Sequence, residues 1–317
     1  MAALAATTAF AQSSVSISGR IDLGVVKVTG ASAKLDETNG ASQIRFVGTE
    51  DLGGGLKANF VVAQRFSPES GLADGASQRP MMQGETTVGL SGGIGAIKVG
   101  RSLTAFQAPI NSTDPYGTLT QTSTAALTTG YATDIDFGTS GSGAGRTDAI
   151  HYNSPSINGL SVGVSIGLKN SASSGTTVLG AGNLTSVWAS YAAGPLMVGG
   201  GMEENRIGDK VSAVLAINDL KVAKIGAGNS TVNTVANTGA NGKNTNFMVA
   251  VPMGVATVTL GYTDVKAGGT GAKSNKTGLG VTYALSKRTN LYSTYGSTKS
   301  TGKATSTGYD LGIVHTF

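Results

Sequence analysis

Apolar side chains occupy alternate positions along most of the chain. Val15, Ile17, Ile21, Leu23 and Val25 share one parity, and Ser16, Ser18, Arg20 and Asp22 take the other. Ile44 and Phe46 alternate with Gln43 and Arg45, and Leu56, Ala58, Phe60, Val62 and Phe66 with Lys57, Asn59 and Arg65. The habit returns at Leu160, Val162, Val164, Ile166 and Leu168, at Val211, Ala213, Leu215 and Ile217, and at Leu279, Val281, Tyr283 and Leu285. A period of two predicts strands and not helices. A soluble sandwich would alternate in the same way, so the connections must decide. They alternate in length: short ones at Leu52–Gly55, Gly92-Gly93, Asn158-Gly159, Gly194-Pro195, Asn218-Asp219, Pro252–Gly254 and Lys287–Asn290 are separated by longer Gly/Ser/Thr/Asn stretches at 29–41, 67–83, 106–146, 171–183, 227–243 and 267–275. Tight turns at one end and long loops at the other describe a transmembrane antiparallel β-barrel. Strands of about 9–11 residues suffice to cross a bilayer when tilted. The pattern predicts an all-β chain of sixteen strands, wide enough to enclose water.

Composition narrows the classes. The 317 residues include 48 glycines and no cysteine, only 13% are charged, and the mean hydropathy is +0.05. A disordered chain would be richer in charge, and no apolar run approaches the roughly 18 residues that a spanning helix needs. Thiolate metal sites, cysteine nucleophiles and disulfides are excluded together. Residues 1–11 (MAALAATTAFA) read as the truncated remnant of a secretory signal, apolar and ending in Ala9-Phe10-Ala11, with cleavage expected between Ala11 and Gln12. Residues 12–317 then form a single barrel.

Five segments carry a family resemblance. SSVSISGRIDLGV, SQIRFVGTEDLGGGLKANFVVAQRF, TTVGLSGGIGAIKVGRS, RTDAIHYNSPSINGLSVGVSIG and the terminal TGYDLGIVHTF follow one another as strands of a Gram-negative general porin do. The chain resembles most the porin group common in β-proteobacteria. The resemblance implies homotrimers of sixteen-stranded barrels whose long third loop folds into the lumen. It further implies a bilayer bearing lipopolysaccharide and passive flow of small ions and solutes. Tyr309, Leu311, Ile313, His315 and Phe317 share one parity up to the last residue, a pattern similar to the signal read by the outer-membrane barrel assembly machinery.

If apolar positions face lipid, the opposite parity lines the pore, because a charge on the lipid face near the midplane costs about 2–4 kcal/mol. Arg20, Asp22, Arg45, Lys57 and Arg65 then face water, with Arg20, Arg45 and Arg65 as a basic wall and Lys57 close to a predicted turn. Charges around a narrow passage select ions by sign. Arg101 shares the parity of Val99 and should face lipid, unless a bulge or the strand's end returns it to the pore. The connection 104–146 is the expected constriction loop, since long connections without regular structure are uncommon unless functional. It carries Asp114, Asp134 and Asp136, which either set a field against the basic wall or simply meet solvent.

Charge is uneven. Residues 1–204 hold 11 basic and 14 acidic side chains and residues 205–317 hold 12 and 4, so the total of +5 divides into −3 and +8. Lys243, Lys266, Lys273, Lys276, Lys299 and Lys303 fall in predicted loops, where they either attract anions to the mouth or only solubilise it. They are dispersed, and no basic-aromatic patch suggests nucleic acid. His151 and His315 are the only histidines, too few for a typical zinc cluster. The Gly-rich turns lack the Lys-Ser/Thr of a P-loop, and Trp188, Tyr191, Tyr262, Tyr283, Tyr292 and Tyr309 fit interfacial girdles or packing. No catalytic centre, metal site or cofactor is expected. The sequence reads as a weakly anion-preferring porin, with a channel for organic acids or phosphate as the alternative and a surface adhesin or receptor behind it.

Overall fold

The alternating segments form sixteen long strands in a computed structural model that describes residues 13–38, 42–73, 81–82, 84–113, 126–128, 131, 145–168, 182–235, 241–267 and 272–317. They are β1 (Ser14–Val28), β2 (Gln43–Gly53), β3 (Leu56–Ser67), β4 (Thr86–Gly92), β5 (Gly95–Leu103), β6 (Arg146–Asn153), β7 (Leu160–Gly167) and β8 (Leu184–Ala193). The second half comprises β9 (Leu196–Glu204), β10 (Lys210–Asp219), β11 (Lys224–Asn233), β12 (Gly242–Met253), β13 (Ala256–Ala267), β14 (Lys273–Ala284), β15 (Thr289–Ser300) and β16 (Ser306–Thr316). Each pairs antiparallel with the next, and β16 returns to β1 from Arg20 opposite Thr316 to Val28 opposite Gly308. Closure leaves no free edge strand, so the ladder groups can be satisfied around the ring without water. Two short strands, Lys34–Asp36 and Leu72–Ala73, fold back on β1 and β3 from the long connections.

The barrel is apolar outside. Val15, Ile17, Val88, Leu260 and Leu311 are exposed, whereas Asp22, Thr87, Ser165, Ser186, Thr263 and Asp310 are buried toward the interior. That inverts a soluble protein and suits a lipid solvent. The predicted parity holds through β1–β5.

It fails on β10. Val211, Ala213 and Leu215 are buried, and Val214 between them is the exposed residue. They join Ala105, Phe106, Ile110, Leu127, Tyr131, Trp188 and Val232 in an apolar cluster inside the barrel. Alternation specifies two faces, and here the apolar one is covered by protein and not lipid. Trp188 and Tyr292, among the candidate girdle aromatics, also point inward and are buried, while Tyr191, Tyr262, Tyr283 and Tyr309 remain outward. The long connection expected at 227–243 shrinks to 234–241, because the polar segments around Ser230 and Asn244 are strand. Consequently Lys243, Lys266, Lys273, Lys276 and Lys299 stand on strands, and of the six only Lys303 lies in a connection.

Candidate functional site

The third long connection enters the lumen immediately after β5. Its described parts, a short helix Gln107–Ile110 followed by single turns at Asn111–Thr113 and Ala126–Thr128, lie against the inner face of β7–β12. Phe106 meets the Trp188 indole edge-to-face, with centroids 5.8 Å apart. Trp188 lies across Gly199 and Gly201 of β9; a Cβ added at Gly199 would sit 2.7 Å from the indole. Polar bonds fix the rest. The Ala105 and Phe106 N–H groups donate to Ser165 Oγ (2.9 Å) and Ser186 Oγ (3.0 Å). Glu203 accepts from the Thr104 hydroxyl and from Tyr131 (3.1 Å), and Asn246 Nδ2 donates to Thr113 Oγ1 (2.8 Å). Burial, and then the Glu203 carboxylate, push the Tyr131 phenol well above its ordinary value, so it stays a donor.

Cations occupy the facing half of the wall. Arg20 of β1, Gln43 of β2 and Arg65 of β3 form one cross-strand row at lumen parity, with Arg45 two residues along β2. Glu85, just before β4, bridges Arg45 (3.2 Å) and Lys98 Nζ (2.6 Å). Burial alone would raise the Glu85 pKa, but the bonds and charges of Lys98, Ser102 and Arg45 outweigh it and hold the carboxyl below its usual 4.5. Arg146 opens β6 and feels the charges of Arg65, Arg101 and Arg45 as well as Glu85. It lines a cavity of about 170 Å³ with Glu85, Lys98, Ser102, His151 and Ser165, where the third connection leaves the wall. A guanidinium crowded by like charges is costly unless a counter-charge visits it.

Each expected site residue has a place, apart from Ala11, Gln12, Asp114, Asp134 and Asp136, which lie outside the described residues. Lys57 is exposed at the short-turn end of β3, opposite Asp51. Asp22 is fully buried; its carboxylate accepts from Tyr292 (2.7 Å) and from the Thr38 N–H (2.9 Å), fastening the first long connection to the inner wall. Arg101 is half-buried. Gly100, at φ +125°, breaks regular strand geometry just before it, and Arg101 Nη1 donates to the Arg146 carbonyl (3.4 Å). His151 is a structural relay. Its Nε2–H donates to the Gly100 carbonyl (3.2 Å), which leaves Nδ1 to accept from the Ser165 hydroxyl (2.9 Å). Tyr309, Leu311 and Ile313 face outward, and Phe317 exchanges both backbone bonds with Gly19 (2.9 and 3.0 Å).

Glu85, Lys98 and Arg146 were not singled out by sequence. Lys98 was readable, since it alternates with Ile97 and Val99. Arg146 shares the outward parity of Ile150 and Tyr152, and its pore-side position depends on lying at the strand's first residue.

Comparisons with known proteins agree with this architecture. An outer membrane porin of Delftia acidovorans is 28% identical over 92% of this chain and 86% of its own length. One of Bordetella pertussis is 28% identical over 98% and 96%. Among solved structures, an anion-selective porin from Comamonas acidovorans superposes with a TM-score of 0.81 at 22% identity, covering 96% of this chain and all of that one. The trimer form of Vibrio cholerae OmpT gives 0.70 at 13% identity, over 96% of this chain and 99% of its own. The family model for Gram-negative porins matches residues 1–303, and the chain, a barrel of the bacterial outer membrane, belongs to that family.

Proposed function

We propose that the barrel is a passive, weakly anion-preferring channel for small hydrophilic solutes and ions, without chemistry or energy input. One observation carries the reading: the described parts of the loop lie against the β7–β12 wall, and the remaining wall carries Arg20, Arg45, Arg65, Lys98 and Arg146 with Glu85 among them. Low-dielectric walls focus such a field and enrich anions. The anion selectivity named for the Comamonas structure supports the same sign. Arg20, Arg45 and Arg65 govern permeation in this reading, and residues 104–146 form the constriction. In a planar bilayer under a KCl gradient, the reversal potential should indicate anions, and Arg20→Gln/Arg45→Gln/Arg65→Gln should move it toward zero or across. Cation preference in the unaltered protein would refute the assignment.

The cavity beside Arg146 favours a second reading, a channel preferring organic acids or phosphate. Saturable, competitive flux of such anions would distinguish it from free diffusion. The functional unit is a homotrimer in a bilayer bearing lipopolysaccharide, a reading supported by trimeric relatives of the fold. The assembly machinery reads the final strand: deletion of Phe317 should lower assembled barrel in cells while purified protein still refolds in detergent. Normal assembly in cells would refute that role.

A further inference from the structure

The connection 205–209 joins β9 to β10 at the long-connection end of the barrel, where polar residues ordinarily meet water. The comparable connection 301–305 is exposed throughout. In 205–209, by contrast, Asn205 and Asp209 are buried and Arg206 is only 8% exposed. The segment is bonded to itself. Asn205 Oδ1 accepts from the Ile207 N–H (3.1 Å) and the Asp209 N–H (2.9 Å), and the Asn205 N–H donates to the Asp209 carbonyl (2.9 Å). It is also tied to the connections on either side. The Val235 N–H donates to Asp209 Oδ1 (2.8 Å), and the Gly182 N–H donates to the Arg206 carbonyl (3.1 Å).

That frame aims the Arg206 side chain past β8 to the rim of β7 and β6. Its Nε donates to the Leu168 carbonyl (3.1 Å) and Nη1 to Thr147 Oγ1 (3.0 Å). Nη2 donates to the Asp148 carbonyl (3.1 Å) and to Asp148 Oδ1 (2.9 Å). A planar guanidinium can make these bonds together, whereas an ammonium cannot. Gly167 provides the seat, since a Cβ added there would lie 2.9 Å from Nη2. Two residues below on the same inner face, Ser165 Oγ accepts from the Ala105 N–H (2.9 Å). The luminal loop leaves the wall at Thr104, whose N–H donates to the Gly145 carbonyl (3.2 Å) where the chain returns. Arg206 thus grips the wall immediately beyond the returning foot of that loop. Glu203, on the same hairpin, accepts from the Thr104 hydroxyl at the leaving foot.

We infer that Arg206 is a positioning residue of the channel: it clamps the returning foot of the luminal loop to β6 and β7 and so fixes the width of the passage. The effect on flow rests on residues 104–146 forming the constriction; the clamp itself does not. Removing either partner leaves a buried charge uncompensated, so Arg206 and Asp148 hold the foot as a unit.

Hydrogen exchange of the purified barrel, read beside single-channel recording, tests this. In the unaltered protein the Thr104 and Ala105 amides should exchange slowly, a readout that requires no variant to fold. Arg206→Lys and Arg206→Met should both speed that exchange about ten- to a hundredfold, the weight of one charge-assisted hydrogen bond. Amides of β13–β15 should keep their rates. Conductance should rise in both variants, and the reversal potential should move toward zero. Gly167→Ala keeps Arg206 and Asp148 but fills the seat, and it should reproduce the faster exchange. Rapid exchange at Thr104 and Ala105 in the unaltered protein would overturn the clamp. So would unchanged exchange in all three variants, or conductance and selectivity fully preserved by lysine and lost with methionine, which would mean that Arg206 acts through its charge alone. Faster exchange with unaltered conductance would uphold the clamp and refute the constriction reading instead.

Discussion

Glu85 sits within bonding distance of both Arg45 and Lys98 on a wall otherwise rich in cations. Its pKa is held below the ordinary 4.5 despite partial burial, because the neighbouring cations favour the charged form. A carboxyl depressed in the folded state stabilises the fold above its ordinary pKa, and that contribution is lost as pH falls through the depressed value. The pair with Lys98 therefore survives to lower pH than it would at the ordinary pKa. As far as Glu85 is concerned, reversal potentials should thus hold steady to lower pH than an unperturbed carboxylate would allow, then move toward anions as it protonates. Glu85→Gln should show the more anionic potential already at pH 7 and a smaller response to acid. An identical acid response in the variant would assign the titration to other carboxylates.

At the scale of a strand, β10 separates lipid-facing from loop-facing alternation. Val214 faces the membrane, and Leu215 packs under the luminal loop. Val214→Lys should reduce assembled barrel, since a lysine on the lipid face costs up to about 2–4 kcal/mol at the midplane. Leu215→Asn should leave the barrel assembled but loosen the loop, with a red-shifted emission from Trp188, the chain's one tryptophan, and larger or noisier conductance. The reverse pair of outcomes would mean that the strand follows the simple apolar-outward rule. This strand also marks how far sequence carries. Period-two alternation with short and long connections suffices for strand number and barrel closure, because both depend on local pattern and turn chemistry. Arg20, Arg45 and Arg65 were legible for the same reason, as polar residues on strands whose other face is unmistakably apolar. What covers an apolar face is a tertiary fact: Val211 and Leu215 look like lipid-facing residues until Phe106 and Leu127 are found against them. Asp22 was legible as inward but not as engaged, because Thr38 and Tyr292 reach it from 16 and 270 residues away. Lys243 was assigned to a loop because its Asn- and Thr-rich surroundings resemble one, although they pair along β11 and β13.

For the whole molecule, the sixteen-strand closure places two unlike halves across one lumen, a loop bolted to β7–β12 and cations on β1–β6. Two mechanisms could turn that arrangement into selectivity, and they differ in their response to salt. A diffuse field acting on hydrated ions is screened, with a Debye length of about 10 Å at 0.1 M and about 3 Å at 1 M. Direct coordination beside Arg146, in a cavity of about 170 Å³, is much less so, because partly buried charges are poorly screened. The spread of cations over β1, β2, β3, β5 and β6 favours the field over a single point of coordination. The anion-to-cation permeability ratio should therefore fall toward the bulk mobility ratio between 0.1 and 1 M KCl. In Arg20→Gln/Arg45→Gln/Arg65→Gln the ratio should start lower and change less with salt. A ratio that stays high in 1 M salt, and that collapses in Arg146→Gln alone, would instead move selection into the cavity and make the protein a channel with a binding site on its path.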